Sequence, residues 1–273
     1  HELYETATER AWPIVLSARS EDALRGCALH LAQWLDEHSR ANGDSPSLPD
    51  LVYSLGARRN HHPYRLTVVT KSTTELAQEL NGFGLKQESP KVLTAFTPRR
   101  EAPPRIAFVM SGQGPQWFGM GRELMRHEPV FRATLERCAA AMKPWARFSL
   151  LEELARTEET SQMHRTEIAQ PAIFALQVSL AELWKSWGIS PAAIVGHSVG
   201  EIAAACVAGV FSLEEAARVI VLRARFMEGC ARGEGTMLAL GLGEEKGGAL
   251  IARHDRSVTI AAINGPRSLT LAG

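Results

Sequence analysis

The sequence predicts an α/β protein: a parallel-sheet core over residues 105–234, a small α+β unit over 1–98 before it, and a small α+β subdomain over 235–273 after it. Three observations predict it. After residue 105, short β-rich runs alternate with long amphipathic stretches, the pattern that lays strands side by side in parallel. A strand–helix–strand–strand pattern closes the sequence. Between the first unit and the core stands Thr97-Pro98-Arg99-Arg100-Glu101-Ala102-Pro103-Pro104, whose prolines disfavour helix and read as a stiff linker.

Each element carries its own signal. Trp12–Ser17 reads as a strand. Ser20–His38 reads as a helix, with Leu24, Cys27, Leu31, Trp34 and Leu35 at helical spacing and Ser20, Glu21 and Asp22 suited to its N-terminus. Asn42–Ser47 is a polar loop. A second helix covers Ser47–Ser54, Tyr64–Thr70 alternates as a strand does, and a third helix, Ser72–Asn81, ends near Gly82. The core opens with a strand at Arg105–Met110, then helices at Met120–Met125 and Val130–Met142. A long apolar helix, Ala169–Trp187, ends at Gly188 and leads to a strand at Ala192–Gly196 and a helix at Val199–Ala208. The helix Ser212–Arg232 opens on a capping box, because Ser212 and Glu215 can each satisfy an orphan N–H. The final pattern places strands at Thr236–Leu242, Val258–Ile263 and Ser268–Leu271, with a helix at Glu244–His254.

Composition excludes several classes. The 273 residues include 30 basic and 30 acidic side chains, for a net charge of zero, so nothing global attracts a phosphate backbone. The cluster Arg58–Arg65 lacks interleaved aromatics beyond Tyr64 and reads as a solvated or domain-packing face. His61 and His62 are adjacent and would point to opposite faces of an extended chain, a poor metal pair. The longest apolar runs, such as Ile202–Phe211, fall far short of the roughly 20 residues that span a bilayer. The start, His1-Glu2-Leu3-Tyr4, has no signal-peptide pattern and no initiator Met, and reads as the start of a piece of a longer polypeptide. Cys27, Cys138, Cys206 and Cys230 form no Cys-x-x-Cys pair, so a zinc ribbon or thioredoxin-type site is excluded. They read as small buried hydrophobes in a reducing, cytoplasmic setting.

The chemistry concentrates in three places. Gly196-His197-Ser198-Val199-Gly200 is a G-x-S-x-G between a strand and a helix, the context a nucleophile elbow requires. Small flanks permit a sharp turn that exposes the Ser198 hydroxyl at a helix N-terminus, where the Val199 N–H can stabilise an oxyanion. Ser111-Gly112-Gln113-Gly114-Pro115-Gln116 follows the first core strand at its carboxyl edge. It lacks G-K-[ST] and G-x-G-x-x-G, so a nucleotide loop is poorly supported, and an oxyanion loop donating the Gln113 N–H suits it better. Arg223 stands among Val219, Ile220, Leu222 and Phe226, where an arginine needs a partner: either a structural ion pair or a substrate carboxylate.

Taken together, these elements resemble the acyltransferase domain of a type I polyketide synthase, in the malonyl-CoA:acyl-carrier-protein transacylase family. The likeness runs through Phe108–Gly121, Gln170–Ala175, Gly196–Glu201, Arg223 and Asn264-Gly265-Pro266, and residues 11–97 resemble the linker between ketosynthase and acyltransferase. It implies an α/β-hydrolase-like core over 105–234, a ferredoxin-like subdomain from 235 that is cut off at residue 273, and a linker domain over 1–98. It implies that Ser198 takes an acyl group from an acyl-coenzyme A as an acyl-O-serine and passes it to the phosphopantetheine thiol of an acyl carrier protein. Gln113 and Val199 would supply the oxyanion donors. Arg223 would grip the free carboxylate of a malonyl-type group. His197 would contact the acyl group or, alternatively, fix the elbow, and Gln170 would line the pocket. The domain would bind no cofactor or metal of its own, and its partners would be the carrier protein and neighbouring synthase domains rather than nucleic acid or membrane.

The same resemblance implies a general-base histidine well downstream of the nucleophile. None of the nine histidines suits it; His254 ends a charged helix and reads as solvated. The base is therefore expected outside this chain, which alone would be a poor enzyme. A branched aliphatic residue after the serine, as Val199 is, leans to malonyl over methylmalonyl. Two rival classes share features with this reading. A serine hydrolase or thioesterase would use the same elbow with water as acceptor and no need of Arg223. A non-catalytic scaffold that positions neighbouring domains of a megasynthase draws support from the first unit, but the intact Ser198 elbow argues against scaffold alone.

Overall fold

The computed structural model describes residues 10–41, 46–98, 104–230, 235–252 and 257–273. The chain divides into two units, His1–Arg105 and Ile106–Gly273.

In the first unit the elements are β1 (Trp12–Ala18), α1 (Glu21–Ala41), α2 (Leu48–Ala57), β2 (Tyr64–Thr70), α3 (Thr73–Gly84) and β3 (Val92–Phe96). The strands form an antiparallel sheet in the order β1-β2-β3, with Val15 opposite Thr67 and Thr67 opposite Leu93. Alternation decides the buried face: Leu66 and Val68 of β2 and Ile14 of β1 point into a core closed by Leu24, Leu35, Leu76 and Leu80. Helix starts follow their caps. Ser47 Oγ accepts from the Asp50 N–H, and Ser72 Oγ accepts from the Glu75 N–H at 3.1 Å.

This unit corrects two expectations. The core stripe of α1 is Leu24, Ala28, Ala32 and Leu35, whereas Cys27 is exposed and Trp34 is 38% exposed. Small alanines let the helix lie close against its neighbours, a choice that helical spacing of large residues does not reveal. Strand β3 lacks a strong sequence signal because it is an edge strand with only its first residue half-buried.

In the second unit the elements are β4 (Ala107–Met110), α4 (Arg122–His127), α5 (Pro129–Met142), α6 (Leu150–Ala155), α7 (Thr166–Ser186), β5 (Ala193–Gly196), α8 (Val199–Val207), α9 (Leu213–Cys230), β6 (Met237–Leu240), α10 (Glu244–Ile251), β7 (Thr259–Gly265) and β8 (Ser268–Ala272). Strands β4 and β5 pair in parallel, Met110 opposite Gly196. The expected α/β alternation is therefore present, and both strands end at the same edge. Their apolar core includes Phe131, Leu135, Phe174, Val199 and Ile220, and burial of such a side chain stabilises by roughly 1.5–3 kcal/mol. In the last sheet, β6 and β7 both run antiparallel to β8, which lies between them. With α10 connecting β6 to β7, this is the split β-α-β arrangement of a ferredoxin-like fold.

Boundaries shift where distant groups intervene. The capping box of α9 forms as expected: the Glu215 N–H donates to Ser212 Oγ at 3.2 Å, and the Ser212 N–H donates to the Glu215 carboxylate at 2.8 Å. Helix α7 begins at Thr166 rather than Ala169, because the Glu228 carboxylate on α9 accepts the N–H of Thr166 at 2.8 Å and of Glu167 at 3.4 Å. Pro171 sits inside this helix and forgoes one ladder bond. Helix α6, capped by Ser149, had no sequence counterpart. All four cysteines are free, but only Cys138 is buried, which corrects the reading of all four as core residues. The loop residues 42–45, the linker residues 99–103, the end of the Ser212–Arg232 helix and His254 lie outside the described residues.

Candidate active site

The site forms at the carboxyl ends of β4 and β5. Ser198 lies between β5 and α8 with φ 54° and ψ −115°, a backbone conformation that side-chain-bearing residues rarely adopt. The flanking glycines make it possible. A Cβ on Gly196 would lie 2.4 Å from the backbone of Gly200, and a Cβ on Gly200 would lie 2.2 Å from the Met110 carbonyl oxygen. Helix α8 thus starts hard against β4, and Ser198 is left exposed at the top of the turn. The His197 N–H donates to the Met110 carbonyl at 3.0 Å and pins the elbow to the neighbouring strand.

Four of the residues singled out in the sequence meet in one chain of hydrogen bonds. Arg223 Nη2 donates to Ser198 Oγ at 3.1 Å, and Arg223 Nη1 donates to Gln170 Oε1 at 2.5 Å. Gln170 Nε2 donates to Gln113 Oε1 at 3.0 Å. Gln170 is 1% exposed, so its amide is held by its partners rather than by solvent. Three helices or loops that are far apart in sequence therefore converge on the serine: the loop after β4, the second turn of α7, and α9.

Arg223 forms no ion pair with a carboxylate among the described residues; its neighbours are a neutral amide and a hydroxyl. No carboxylate among the described residues therefore balances the guanidinium beside Ser198. Val199, at the first position of α8, is fully buried, and its N–H, like that of Gln113, donates to no described acceptor. Two backbone donors at the ends of adjacent parallel strands are the elements of an oxyanion hole.

His197 is brought next to the serine in sequence but engages a different group. Its Nε2 lies 3.2 Å from Asn264 Oδ1 on β7, and Asn264 Nδ2 donates to Thr270 Oγ1 at 3.0 Å. With the Asn264 amide nitrogen turned to Thr270, its oxygen faces His197 Nε2. A Cβ on Gly112 would lie 2.7 Å from His197 Nδ1, so the glycine loop and the imidazole are in close contact. No described histidine hydrogen-bonds to Ser198 Oγ.

Three contributors carried no role in the sequence reading. Asn264 stood in a quoted motif without a function. Glu228 and Gln177, on the outside of any local pattern, act through contacts on other helices that spacing cannot show. Among the described residues, no group of three or more His, Cys, Asp or Glu side chains could hold a metal ion, and no helix is long and apolar enough to cross a membrane. Burial pushes the Cys138 thiol up to about 12, and Cys206 on α8 is raised by the same cause, so neither is an activated thiolate.

Residues 107–273 match the acyl transferase domain family. The chain belongs to that family. The segment 13–80 of this acyltransferase chain matches a second family described as CurL-like, PKS C-terminal. Relatives are polyketide synthases. The spectinabilin polyketide synthase system protein NorA' of Streptomyces orinoci is 40% identical over 274 residues, covering 100% of this chain and 7% of the relative. Erythronolide synthase EryA3 of Saccharopolyspora erythraea is 39% identical over 259 residues, covering 95% of this chain and 8% of the relative. Among solved structures, the acyltransferase domain from module 8 of the salinomycin polyketide synthase superposes with a TM-score of 0.83 at 33% identity, over 96% of this chain and 60% of that one. The acyltransferase domain of SpnD, solved in complex with 2-(pent-4-yn-1-yl)malonyl, superposes with a TM-score of 0.79 at 32% identity, over 100% of this chain and 61% of that one. The α/β fold and the acyltransferase identity of type I polyketide synthase kind rest on these matches together with the architecture above.

Proposed function

We propose that this acyltransferase domain loads a malonyl-type unit from coenzyme A onto the phosphopantetheine thiol of an acyl carrier protein, through an acyl-O-serine on Ser198. The observation that carries the reading is the Arg223 guanidinium 3.1 Å from Ser198 Oγ without a carboxylate partner among the described residues. A cation so placed matches an acyl group bearing a second carboxylate, and a simple fatty or acetyl group would leave it unpaired. The solved SpnD domain, complexed with a substituted malonyl group, supports the same substrate class.

In the first half-reaction Ser198 Oγ attacks the thioester carbonyl carbon. The developing oxyanion is met by the N–H groups of Gln113 and Val199, while Arg223 holds the free carboxylate and Gln170 holds Arg223. The hydroxyl proton passes to a general base, proposed to be a histidine outside residues 1–273, and from it to the departing coenzyme A thiolate. In the second half-reaction the phosphopantetheine thiol attacks the acyl-serine, its proton passes to the same base, and Ser198 is regenerated. His197, held by Asn264, contacts the acyl group. By the family resemblance, the branched aliphatic Val199 after Ser198 supports malonyl over methylmalonyl. Residues 1–98 are proposed to link this domain to a ketosynthase, and the partners are the carrier protein and neighbouring synthase domains.

The test is a competition. The intact polypeptide is incubated with equal malonyl-, methylmalonyl- and acetyl-CoA, and the adduct on Ser198 is read by peptide mass spectrometry, with Ser198→Ala as control. A malonyl adduct that is absent from the control is expected. A predominant methylmalonyl adduct refutes the malonyl preference, and an acetyl adduct refutes the role of Arg223.

A further inference from the structure

We propose that Gln177 is a positioning residue for acyl transfer: it clamps Ser111 and so sets the loop that presents the Gln113 N–H to the oxyanion. The inference rests on the acyl-transfer reading above. Gln177 lies on α7, 8% exposed, well away from Ser198 in sequence. Its Nε2 donates to the Ser111 carbonyl oxygen at 2.8 Å and to Ser111 Oγ at 3.2 Å. Its Oε1 is buried and has no hydrogen-bond partner among the described residues. A leucine or methionine could fill the same space without an unpaired buried carbonyl, so the amide's contribution is the pair of bonds to Ser111.

Ser111 is where β4 ends and the glycine loop begins. Its carbonyl oxygen is fixed from two sides. Gln177 donates to it, and it stands so close to the elbow that a Cβ on Gly200 would lie 2.7 Å away. From Ser111 the chain passes through a single residue, Gly112, to Gln113. Glycine offers that step more backbone freedom than any other residue. With Ser111 anchored, the direction of the Gln113 N–H is constrained at one end by Gln177 and at the other by the Gln113 side chain, which accepts from Gln170 at 3.0 Å. Without Gln177, the Ser111 end of the loop keeps its packing against the elbow and the strand pairing of β4 but loses its hydrogen bonds to α7. The hydrogen bonds of Gln177 among the described residues go to Ser111 and to neither Ser198 nor Arg223, so it acts through the loop.

A loosened oxyanion donor slows bond making more than it weakens binding of the coenzyme A ester, because the oxyanion exists only in the transition state. The experiment measures single-turnover acylation of Ser198 by malonyl-CoA in the intact polypeptide, giving a maximal rate and a half-saturation concentration. Gln177→Met keeps the bulk and removes both donors. Its maximal rate is expected to fall about 10- to 100-fold, less than the ~10²–10³ for deleting an oxyanion donor outright, with half-saturation nearly unchanged. Ser111→Ala removes only the hydroxyl acceptor and keeps the folding of α7 out of the question. It is expected to show a smaller loss of the same kind, in rate and not in half-saturation. A wild-type rate in either soluble, folded variant, or a rise in half-saturation that matches the loss in rate, overturns the positioning role. If wild-type Ser198 itself takes no acyl group, the acyl-transfer reading fails instead, so the two failures are told apart by the unmutated protein.

Discussion

Adding one methyl group at Gly200 should disable the nucleophile while leaving the rest of the helix intact. A Cβ there would lie 2.2 Å from the Met110 carbonyl oxygen, 2.7 Å from the Met110 carbonyl carbon and 2.7 Å from the Ser111 carbonyl oxygen. All three are backbone atoms, so no rotamer change relieves the overlap. Restoring ordinary contact requires α8 to retreat from β4 by about 1 Å, and misplacement by 1 Å at a reacting group costs on the order of 10²-fold in rate. Ser198 and Val199 lead directly into Gly200, so both the hydroxyl and an oxyanion donor move. The overpacking itself should destabilise by about 1–3 kcal/mol. Gly229→Ala is the matched control, because a Cβ at Gly229 on α9 meets nothing within 4 Å. The assay is the rate of Ser198 acylation alongside thermal unfolding of each variant. The expected result is a loss of about a hundredfold or more for Gly200→Ala and none for Gly229→Ala. Wild-type acylation by Gly200→Ala would refute the claim that close approach of α8 to β4 builds the elbow.

Arg223→Ala removes the cation and two hydrogen bonds, at Ser198 Oγ and Gln170 Oε1. Malonyl loading should fall by about 10²-fold or more, while acetyl loading changes less, as expected for loss of a bond to a charged group; equal losses for both esters would count against a carboxylate clamp. Alkylation should separate the thiols: Cys27 and Cys230 are exposed and should react with a maleimide in the native state, whereas Cys138, buried and pushed up to about 12, should react only on unfolding. Glu75 at the start of α3 is held down at about 2, from 4.5, first by its hydrogen bond from Lys91 and then by those from Thr70 and the Lys71 N–H. Its contribution is therefore present above pH 4.5 and lost as pH falls towards 2. Acid titration of unfolding should be steeper over that window for wild type than for Glu75→Gln, and identical slopes would contradict it.

Much of the site was legible because it depends on backbone chemistry. Gly196 and Gly200 announce a turn that no larger residue permits, and the observed overlaps of a Cβ at either position supply the reason. Arg223 among apolar neighbours signals a need for a partner, but the sequence left open whether that partner is structural. The hydrogen bonds to Gln170 and Ser198 are what place it at the elbow. What stayed hidden acts across elements. Glu228 starts α7 three residues early by accepting its N–H groups, and Asn264 turns the His197 ring from a strand far along the chain. Neither effect leaves a periodicity. The same holds for the fold: long amphipathic helices and the capping box at Ser212 were readable, while β3, an exposed edge, and α6, a short helix, were not.

Ser198 is proposed to hand its acyl group to a thiol rather than to water. The most direct measurement isolates the acyl-Ser198 protein in its intact polypeptide and follows the acyl group after addition of a carrier protein bearing phosphopantetheine, against buffer alone. Rapid appearance of the acyl group on the carrier thiol and a long-lived adduct in buffer are expected. Release of free acid at the same rate with and without the carrier would contradict it and make the domain a hydrolase.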